Sequence, residues 1–292
     1  MIDKILKKIR EQGVPSFLGF AINNSLRKIF GIQIIKTESI EANKFARKVF
    51  SKRKIKYSEE GFWFLDPMPS KSELDSYYSS IYWDSRAGKN FGVVNRDIIH
   101  FLLLKQYIPN FISETKSFLN FGAGYGGISN LCWLNGMDIV NVEPSLIPDF
   151  YHERWRNFSD ITEVPDNSVD IIYGSHSLEH VQNIHSAQRE IERVLKPEGY
   201  VFLEVPNAHS PNDKSLIDRG IVDIPHTYYF ETKFFENWFS ELLLCDAFEQ
   251  SQHFDEIVNW HSFKDSKGPV IRALGRIDKA NQRSTLKAEE QK

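Results

Sequence analysis

Cysteine is nearly missing from this 292-residue chain: there are two, Cys132 and Cys245, far apart and outside any Cys-x-x-Cys or Cys/His spacing. A disulfide framework and a cysteine-based zinc site are therefore excluded as organising principles, and a reducing, cytoplasmic setting fits. No run approaches 18 apolar residues, so no membrane-spanning helix is expected. The first residues are charged from Lys4 onward and lack the unbroken apolar core of a signal peptide. Internal repeats are missing as well, and the one low-complexity stretch is the polar tail, residues 280–292, expected to be disordered. What remains is 41% hydrophobic and 26% charged, the balance of a globular protein with room for one large domain and an appendage.

The formal net charge of −3 hides an asymmetry. Residues 1–56 carry a net of +10, which leaves −13 for the rest. Ile2, Ile5, Leu6 and Ile9 share one helical face there, ringed by Lys4, Lys7, Lys8 and Arg10. This basic helical appendage reads as a helix docked on the core or on a sister subunit. Peripheral contact with an inner membrane surface is the sharper alternative, and an acidic partner a third. Nucleic acid is not expected, because the acidic body of the chain opposes it.

An aromatic-rich lead-in, residues 57–94, follows the appendage and contains the helix-like Ser72-Glu73-Leu74-Asp75-Ser76-Tyr77-Tyr78. Asn95–Tyr107 reads as a buried helix stopped by Pro109. From there to residue 279 short apolar strands alternate with helices, the pattern of a doubly wound parallel α/β sheet. Strands are predicted at Ser117–Phe121, Asp138–Glu143, Asp170–Ser175, Tyr200–Val205 and Val270–Leu274. Helices are predicted at Ile128–Asn135, at Ile184–Leu195 with Gly199 near its C-cap, and at Thr232–Phe239. Residues 207–231 form an insertion in the position of an acceptor lid.

The first of these strands ends in Asn120-Phe121-Gly122-Ala123-Gly124-Tyr125-Gly126-Gly127. Glycines at the carboxyl end of a strand let the backbone turn tightly and approach a ligand, and the next helix offers its N-terminal N–H groups. Gly122, Gly124 and Gly127 also satisfy the dinucleotide pattern GxGxxG, and Glu143 after the next strand would hold a ribose in either case. These residues alone therefore leave a nicotinamide-dependent oxidoreductase open.

The downstream segments Asp166–Tyr173, Ser177–Val181, Glu192–Gly199 and Glu204–Asn207 follow in order at close spacing. Together with the glycine loop they resemble the class I S-adenosylmethionine-dependent methyltransferases, particularly the branches that modify small molecules, quinones and sugars. The resemblance implies a seven-stranded, mostly parallel sheet. It implies a cradle for the methionine portion at Gly122, Ala123, Gly124 and Gly126, a ribose carboxylate at Glu143 and an adenine contact at Asp160. Ser175 and His176, where the fourth strand ends, would face the methyl group. One departure stands out: the family's Asp before the glycines is Asn120 here, which keeps a hydrogen bond and loses a charge. The stretch Gly61-Phe62-Trp63-Phe64-Leu65-Asp66-Pro67 is similar to the lead-in of methyltransferases encoded with glycan-modifying enzymes, without the cysteine cluster that precedes it there.

Methyl transfer to a hydroxyl needs alignment and a place for a proton, and histidine suits the latter near neutral pH. His176, His209 and His226 are the catalytic candidates, with His176 foremost. Glu179 and His180 read first as a structural pair at a helix start. Some relatives hold Mg²⁺ through Glu-x-x-Glu-His and a later His. His176, Glu179, His180 and His226 keep that spacing with His for the first Glu, so a softer divalent metal is an alternative that is not favoured. The aromatics from Tyr228 to Phe239 read mainly as core packing. The sequence thus points to an O-methyltransferase using S-adenosylmethionine on a small-molecule acceptor, with carbohydrate as the leading class. A cofactor-binding protein without turnover and an NAD-dependent oxidoreductase are the rivals.

Overall fold

A computed structural model describes residues 53–78, 95–145, 151–218, 226–247 and 268–277, all of which fall within one compact unit, Lys44–Lys292. The helix expected near residue 5, part of the insertion and the polar tail lie outside the described residues. In chain order the elements are β1 (Lys54–Ser58), β2 (Phe62–Asp66), α1 (Lys71–Ser76), α2 (Asn95–Tyr107), α3 (Phe111–Glu114), β3 (Ser117–Phe121), α4 (Gly127–Leu134), β4 (Asp138–Val142) and β5 (Arg156–Phe158). They continue with β6 (Val169–Ser175), α5 (Ile184–Val194), β7 (Leu195–Pro206), α6 (Pro211–Asp218), β8 (Tyr228–Phe230), α7 (Thr232–Trp238), β9 (Glu241–Ala247) and β10 (Val270–Arg276). Short 3₁₀ turns occur at Ile161–Glu163 and Leu178–His180.

Seven strands form the main sheet in the order β5-β4-β3-β6-β7-β10-β9. The first five are parallel, and β10 runs antiparallel to both of its neighbours. The sheet is therefore doubly wound, as the alternation in the sequence predicts. Alternate residues along each strand feed two cores. Leu119, Ile172, Leu203 and Ala273 meet Ile184, Ile191 and Val194 of α5 and Phe234, Phe235 and Trp238 of α7. Phe118, Tyr173 and Phe202 on the opposite face meet Ile99, Leu103 and Leu104 of α2 and Ile128 and Cys132 of α4. The chain winds one way from β3 through β4 to β5, then returns to place β6 on the other side of β3. Such a reversal opens a crevice at the carboxyl ends of β3 and β6, where ligands of this architecture bind.

A second, three-stranded antiparallel sheet, β1-β2-β8, was not legible beforehand. It pairs the lead-in with the last residues of the insertion, through Phe62↔Phe230, Trp63↔Tyr229 and Phe64↔Tyr228. β1 begins at Lys54, inside the segment assigned to the basic appendage. One face of this sheet packs Phe62, Tyr228 and Phe230 into the main core, which accounts for the aromatic crowding. Its other face carries Trp63, Ile55 and Tyr229 against Ala208 and Ile217. A bridge from Asn207 to Phe230 joins the two sheets at the end of β7.

One boundary differs from expectation. Helix α5 ends at Val194, Leu195 is already extended, and β7 runs on through Gly199. Gly199 is thus no C-cap. A Cβ there would stand 2.6 Å from Leu195 Cδ1 and 2.8 Å from the Asp170 carbonyl, so close packing requires the glycine. Phe230 is the keystone between the sheets, fully buried with Phe62, Phe234 and Phe235 rings around it. Phe230→Ala is expected to cost about 3–5 kcal/mol, read as a lowered midpoint in chemical denaturation.

Candidate active site

The glycine loop leaves β3 through three left-handed residues, Gly122 (φ 72°), Gly124 (φ 54°) and Gly126 (φ 70°). Their surroundings differ in an informative way. A Cβ on Gly122 would lie 2.1 Å from Ser177 Oγ, so this glycine lets the end of β6 close against the loop. A Cβ on Gly124 would meet no heavy atom of the described residues within 4 Å. The open space lies at the centre of the loop, where a ligand would approach the backbone. Glu143 sits beside it, buried, and its Oε2 accepts a 2.9 Å hydrogen bond from Gly124 N. The Tyr151 hydroxyl donates to the Gly124 carbonyl at 2.8 Å, and burial raises its pKa so that it stays a donor.

Asn120 replaces a charge with a neutral chain. Its Nδ2 donates to Ser129 Oγ, Ser129 donates to Asn141 Oδ1, and Asn141 Nδ2 donates to Asn157 Oδ1, at 2.8–3.0 Å. This row of amides and one hydroxyl stitches β3, α4, β4 and β5 together beneath the loop. Asp160 N-caps the turn Ile161–Glu163, accepting from Thr162 N at 3.0 Å, and its other oxygen lies 3.6 Å from Lys71 Nζ of α1.

Where β6 ends, the backbone makes a left-handed step at His176 (φ 52°), whose N–H donates to the Glu204 carbonyl at 2.9 Å. The His176 ring lies between two fully buried carboxylates. Nδ1 is 3.2 Å from Glu179 Oε1, and Nε2 is 3.6 Å from Glu204 Oε1. Burial alone would lower its pKa, but Glu179 and Glu204 outweigh this and raise it. Glu179 itself is held near 2: burial opposes the charge, and His180 and His176 override burial.

Thr227 N donates to the Glu179 carbonyl at 2.8 Å, and the Thr227 hydroxyl lies 2.8 Å from the carbonyls of Glu179 and Val181. These bonds bring the end of the insertion onto the Leu178–His180 turn. Ligand atoms of Glu179, His180 and His226 consequently lie within 4.8 Å of one another. Among the described residues, Glu179 Oε2 and His226 Nδ1 are buried without a hydrogen-bond partner. One carboxylate and two imidazoles are a donor set for a divalent ion of intermediate softness. His176 joins this group through its bond to Glu179 rather than as a fourth arm.

The other predicted histidine is elsewhere. His209 is half exposed, with Nε2 3.5 Å from Glu231 Oε1, and Glu231 also accepts from Trp63 Nε1 and Tyr57 Oη. The structure thus brings together the glycine loop, Glu143, Ser175, His176, Glu179, His180 and His226, and leaves His209 on the outer face of the small sheet.

Three residues to which the sequence reading gave no role, His100, Glu204 and Arg272, lie directly beneath. Ser175, Glu204 and Arg272 are opposite one another on β6, β7 and β10. Glu204 accepts from Ser175 Oγ (2.9 Å), Arg272 Nε (2.6 Å) and His100 Nε2 (2.9 Å), and His100 Nδ1 meets the Tyr173 hydroxyl at 2.7 Å. His100, Glu204 and Arg272 each interrupt an apolar run, in IIHFLLL, YVFLEVP and VIRALG. An ionisable residue inside a buried element is the signal that marks them.

Comparison with known proteins identifies the family. A family model described as a methyltransferase domain matches residues 90–252, more than half of the chain. Among solved structures, a SAM-dependent methyltransferase from Archaeoglobus fulgidus is similar at 15% identity and TM-score 0.45, covering 67% of this chain and 98% of that one. Another from Thermotoga maritima stands at 15% and 0.42, covering 62% and 90%. A third, from Mesorhizobium loti, stands at 12% and 0.41, covering 62% and 99%. At these scores the likenesses carry no argument of their own. No curated protein matches the chain.

The two loop glycines separate folding from binding. Gly124→Ala is expected to fold with a loss of about 1 kcal/mol for the left-handed backbone, yet to lose affinity for S-adenosylhomocysteine, read by calorimetry beside a thermal melt. Gly122→Ala is expected to lower the melting temperature itself, because Ser177 must move. With the switch-point crevice, the open glycine loop and the matched domain in hand, the chain belongs to the class I S-adenosylmethionine-dependent methyltransferases.

Proposed function

We propose that the protein transfers the methyl group of S-adenosylmethionine to a hydroxyl oxygen of a small acceptor, a sugar or sugar nucleotide of a surface-glycan pathway. The observation that carries the reading is the histidine–carboxylate group at the end of β6, set against the glycine loop by the Gly122–Ser177 contact. The cofactor fits the residues present. Open space faces Gly124, a buried carboxylate at Glu143 is in place for ribose hydroxyls, and Ala123, Gly126 and Ser175 border the loop. Asp160, whose carboxylate also caps a turn, is the adenine-side candidate. When bound, S-adenosylmethionine supplies an electrophilic methyl on a sulfonium.

The chain's own residues then align and deprotonate the acceptor. His226 is the base in this reading, since its buried Nδ1 has no hydrogen-bond partner among the described residues and it stands in one group with Glu179 and His180. His176, held between Glu179 and Glu204 with a raised pKa, orients the site rather than accepting the proton. His209 serves the outer face of the small sheet through Glu231. The sugar class is supported by the lead-in's resemblance and by its position: β2, the strand that carries the resemblance, pairs with β8 at the end of the insertion.

Calorimetry with S-adenosylhomocysteine, with NAD(H) in parallel, comes first, followed by transfer of labelled methyl to a panel of nucleotide sugars. Glu143→Ala is expected to weaken S-adenosylhomocysteine binding by more than about 1 kcal/mol. Binding of NAD(H) in place of S-adenosylhomocysteine sinks the reading, and binding without turnover across the panel favours a cofactor-binding protein that does no chemistry.

A second reading is favoured by the two unpartnered atoms in the Glu179–His180–His226 group: a divalent ion beside the acceptor hydroxyl, held by these three side chains. Titration with Mn²⁺ or Zn²⁺ is expected to show one site that Glu179→Gln abolishes. Turnover unaffected by chelator and by added metal removes this reading and leaves His226 acting alone.

A further inference from the structure

The row Ser175–Glu204–Arg272 fixes which way hydrogen bonds point at the mouth of the site. Arg272 offers only donors, so the Glu204 oxygen facing it must accept, and Glu204 is held well below the usual carboxylate range by the groups around it. Burial would push that pKa up, whereas His100 and Arg272 bring it down. Burial also lowers the pKa of His100 to about 4, so near neutral pH its ring is uncharged and Arg272 carries the compensating positive charge. A carboxylate cannot donate, so the hydrogen of His100 sits on Nε2, and Nδ1 accepts from the Tyr173 hydroxyl. Tyr173, which also lies beside Ser175, therefore commits its own hydrogen to His100.

Both inward neighbours of Ser175 are thus acceptors. Its single hydroxyl hydrogen is drawn inward, to Glu204 Oε1 at 2.9 Å. Only lone pairs remain to face outward from the end of β6. Register places that end beside the glycine loop, because Phe121 is opposite Gly174 and the next residues are Gly122 and Ser175. Within a bound S-adenosyl amino acid, the hydrogen-bond donor belonging to the part cradled by that loop is the α-ammonium.

We propose that Glu204 is a positioning residue that acts through Ser175, locking its hydroxyl as an acceptor so that the transfer site selects the ammonium of the cofactor's amino-acid portion. This rests on the cofactor placement given under Proposed function. Arg272 and His100 act one step further back, by fixing which Glu204 oxygen is free for Ser175. Replacement of Glu204 by glutamine tests the lock, because the amide carbonyl must face Arg272 and His100. The amide NH₂ then faces Ser175 and no longer holds its hydrogen inward.

The test is calorimetric titration of the full-length wild type, Ser175→Ala, Glu204→Gln and the double variant. Two probes are used: S-adenosylhomocysteine, and 5′-methylthioadenosine, which lacks the amino-acid portion. Ser175→Ala and Glu204→Gln are each expected to weaken S-adenosylhomocysteine about ten-fold, the scale of one hydrogen bond to a charged group. Methylthioadenosine should stay within about two-fold of wild type, since it makes no such bond. The double variant is expected to lose no more than Ser175→Ala alone.

Equal weakening of both probes, additive losses in the double variant, or unchanged S-adenosylhomocysteine affinity in Ser175→Ala each overturn the proposal. If Glu204→Gln fails to fold, Ser175→Ala, which removes one small group, still decides through the difference between the two probes. A wild type that binds neither probe condemns the cofactor placement itself, an outcome distinct from wild-type binding that the variants leave unaltered.

Discussion

The contact on which the site depends is the one between Gly122 and Ser177. A single methyl group on residue 122 would stand 2.1 Å from the serine hydroxyl, so the absence of a side chain is what lets the end of β6 press against the glycine loop. Everything with chemistry in it follows from that approach. The loop's open centre at Gly124 and the carboxylate of Glu143 lie on one side. Ser175, His176 and the Leu178–His180 turn lie on the other. The reversal of strand order between β3 and β6 supplies the crevice, but a reversal alone would leave two separate rims. The missing Cβ joins them, and the left-handed step at His176 then directs its ring between the buried carboxylates instead of along the strand.

Burying two carboxylates within reach of one imidazole is costly unless each charge is answered. Glu204 is answered from the sheet, by Arg272 directly opposite and by two neutral donors, Ser175 and His100. Glu179 is answered from the loops, by His176 and by the His180 and His226 rings. His176 belongs to both sets and so couples a rigid, strand-borne group to a loop-borne one. Such an arrangement contributes little net stability. What it supplies is a fixed geometry, since Arg272 and His100 donate to one Glu204 oxygen and Ser175 to the other.

Much of this was legible in the chain. The strand–glycine–helix unit at 117–135, the alternation to residue 206 and the helix Asn95–Tyr107 all follow from periodicity and punctuation, and those elements formed close to where they were read, apart from the early start of β7 at Leu195. The residues at strand ends were legible for the same reason: Ser175 and His176 follow an apolar strand, and Glu143 follows another. The small sheet was not legible, because β8 is three residues long and its partners are 168 positions away at Phe62↔Phe230, a separation no local pattern reports. β5 has the same length and only one neighbour. Glu204, His100 and Arg272 were visible as misfits in apolar runs, but a misfit identifies no partner until the register is known. The displacement of His209 had no local sign either, since its distance from the other histidines is set by where α6 and β8 return to the sheet.

The neutral chain beneath the loop completes the electrostatic logic. With aspartate at position 120, a buried negative charge would sit below the cofactor's amino-acid portion. Asn120 instead continues a directional line of donors through Ser129 and Asn141 to Asn157, which ties four elements together without any charge to compensate. The attraction for a cationic ligand is thereby shifted to the rim. Glu143 touches the loop at Gly124 N, and Ser175 faces it with lone pairs made available by Glu204. A dipolar acceptor locked by a buried carboxylate is weaker than a full charge, yet it is directional and insensitive to pH in the range where Glu204 stays ionised. In the proposed placement the cofactor is held by geometry more than by charge, which puts the burden of recognition on the rigidity of the β6–β7–β10 row.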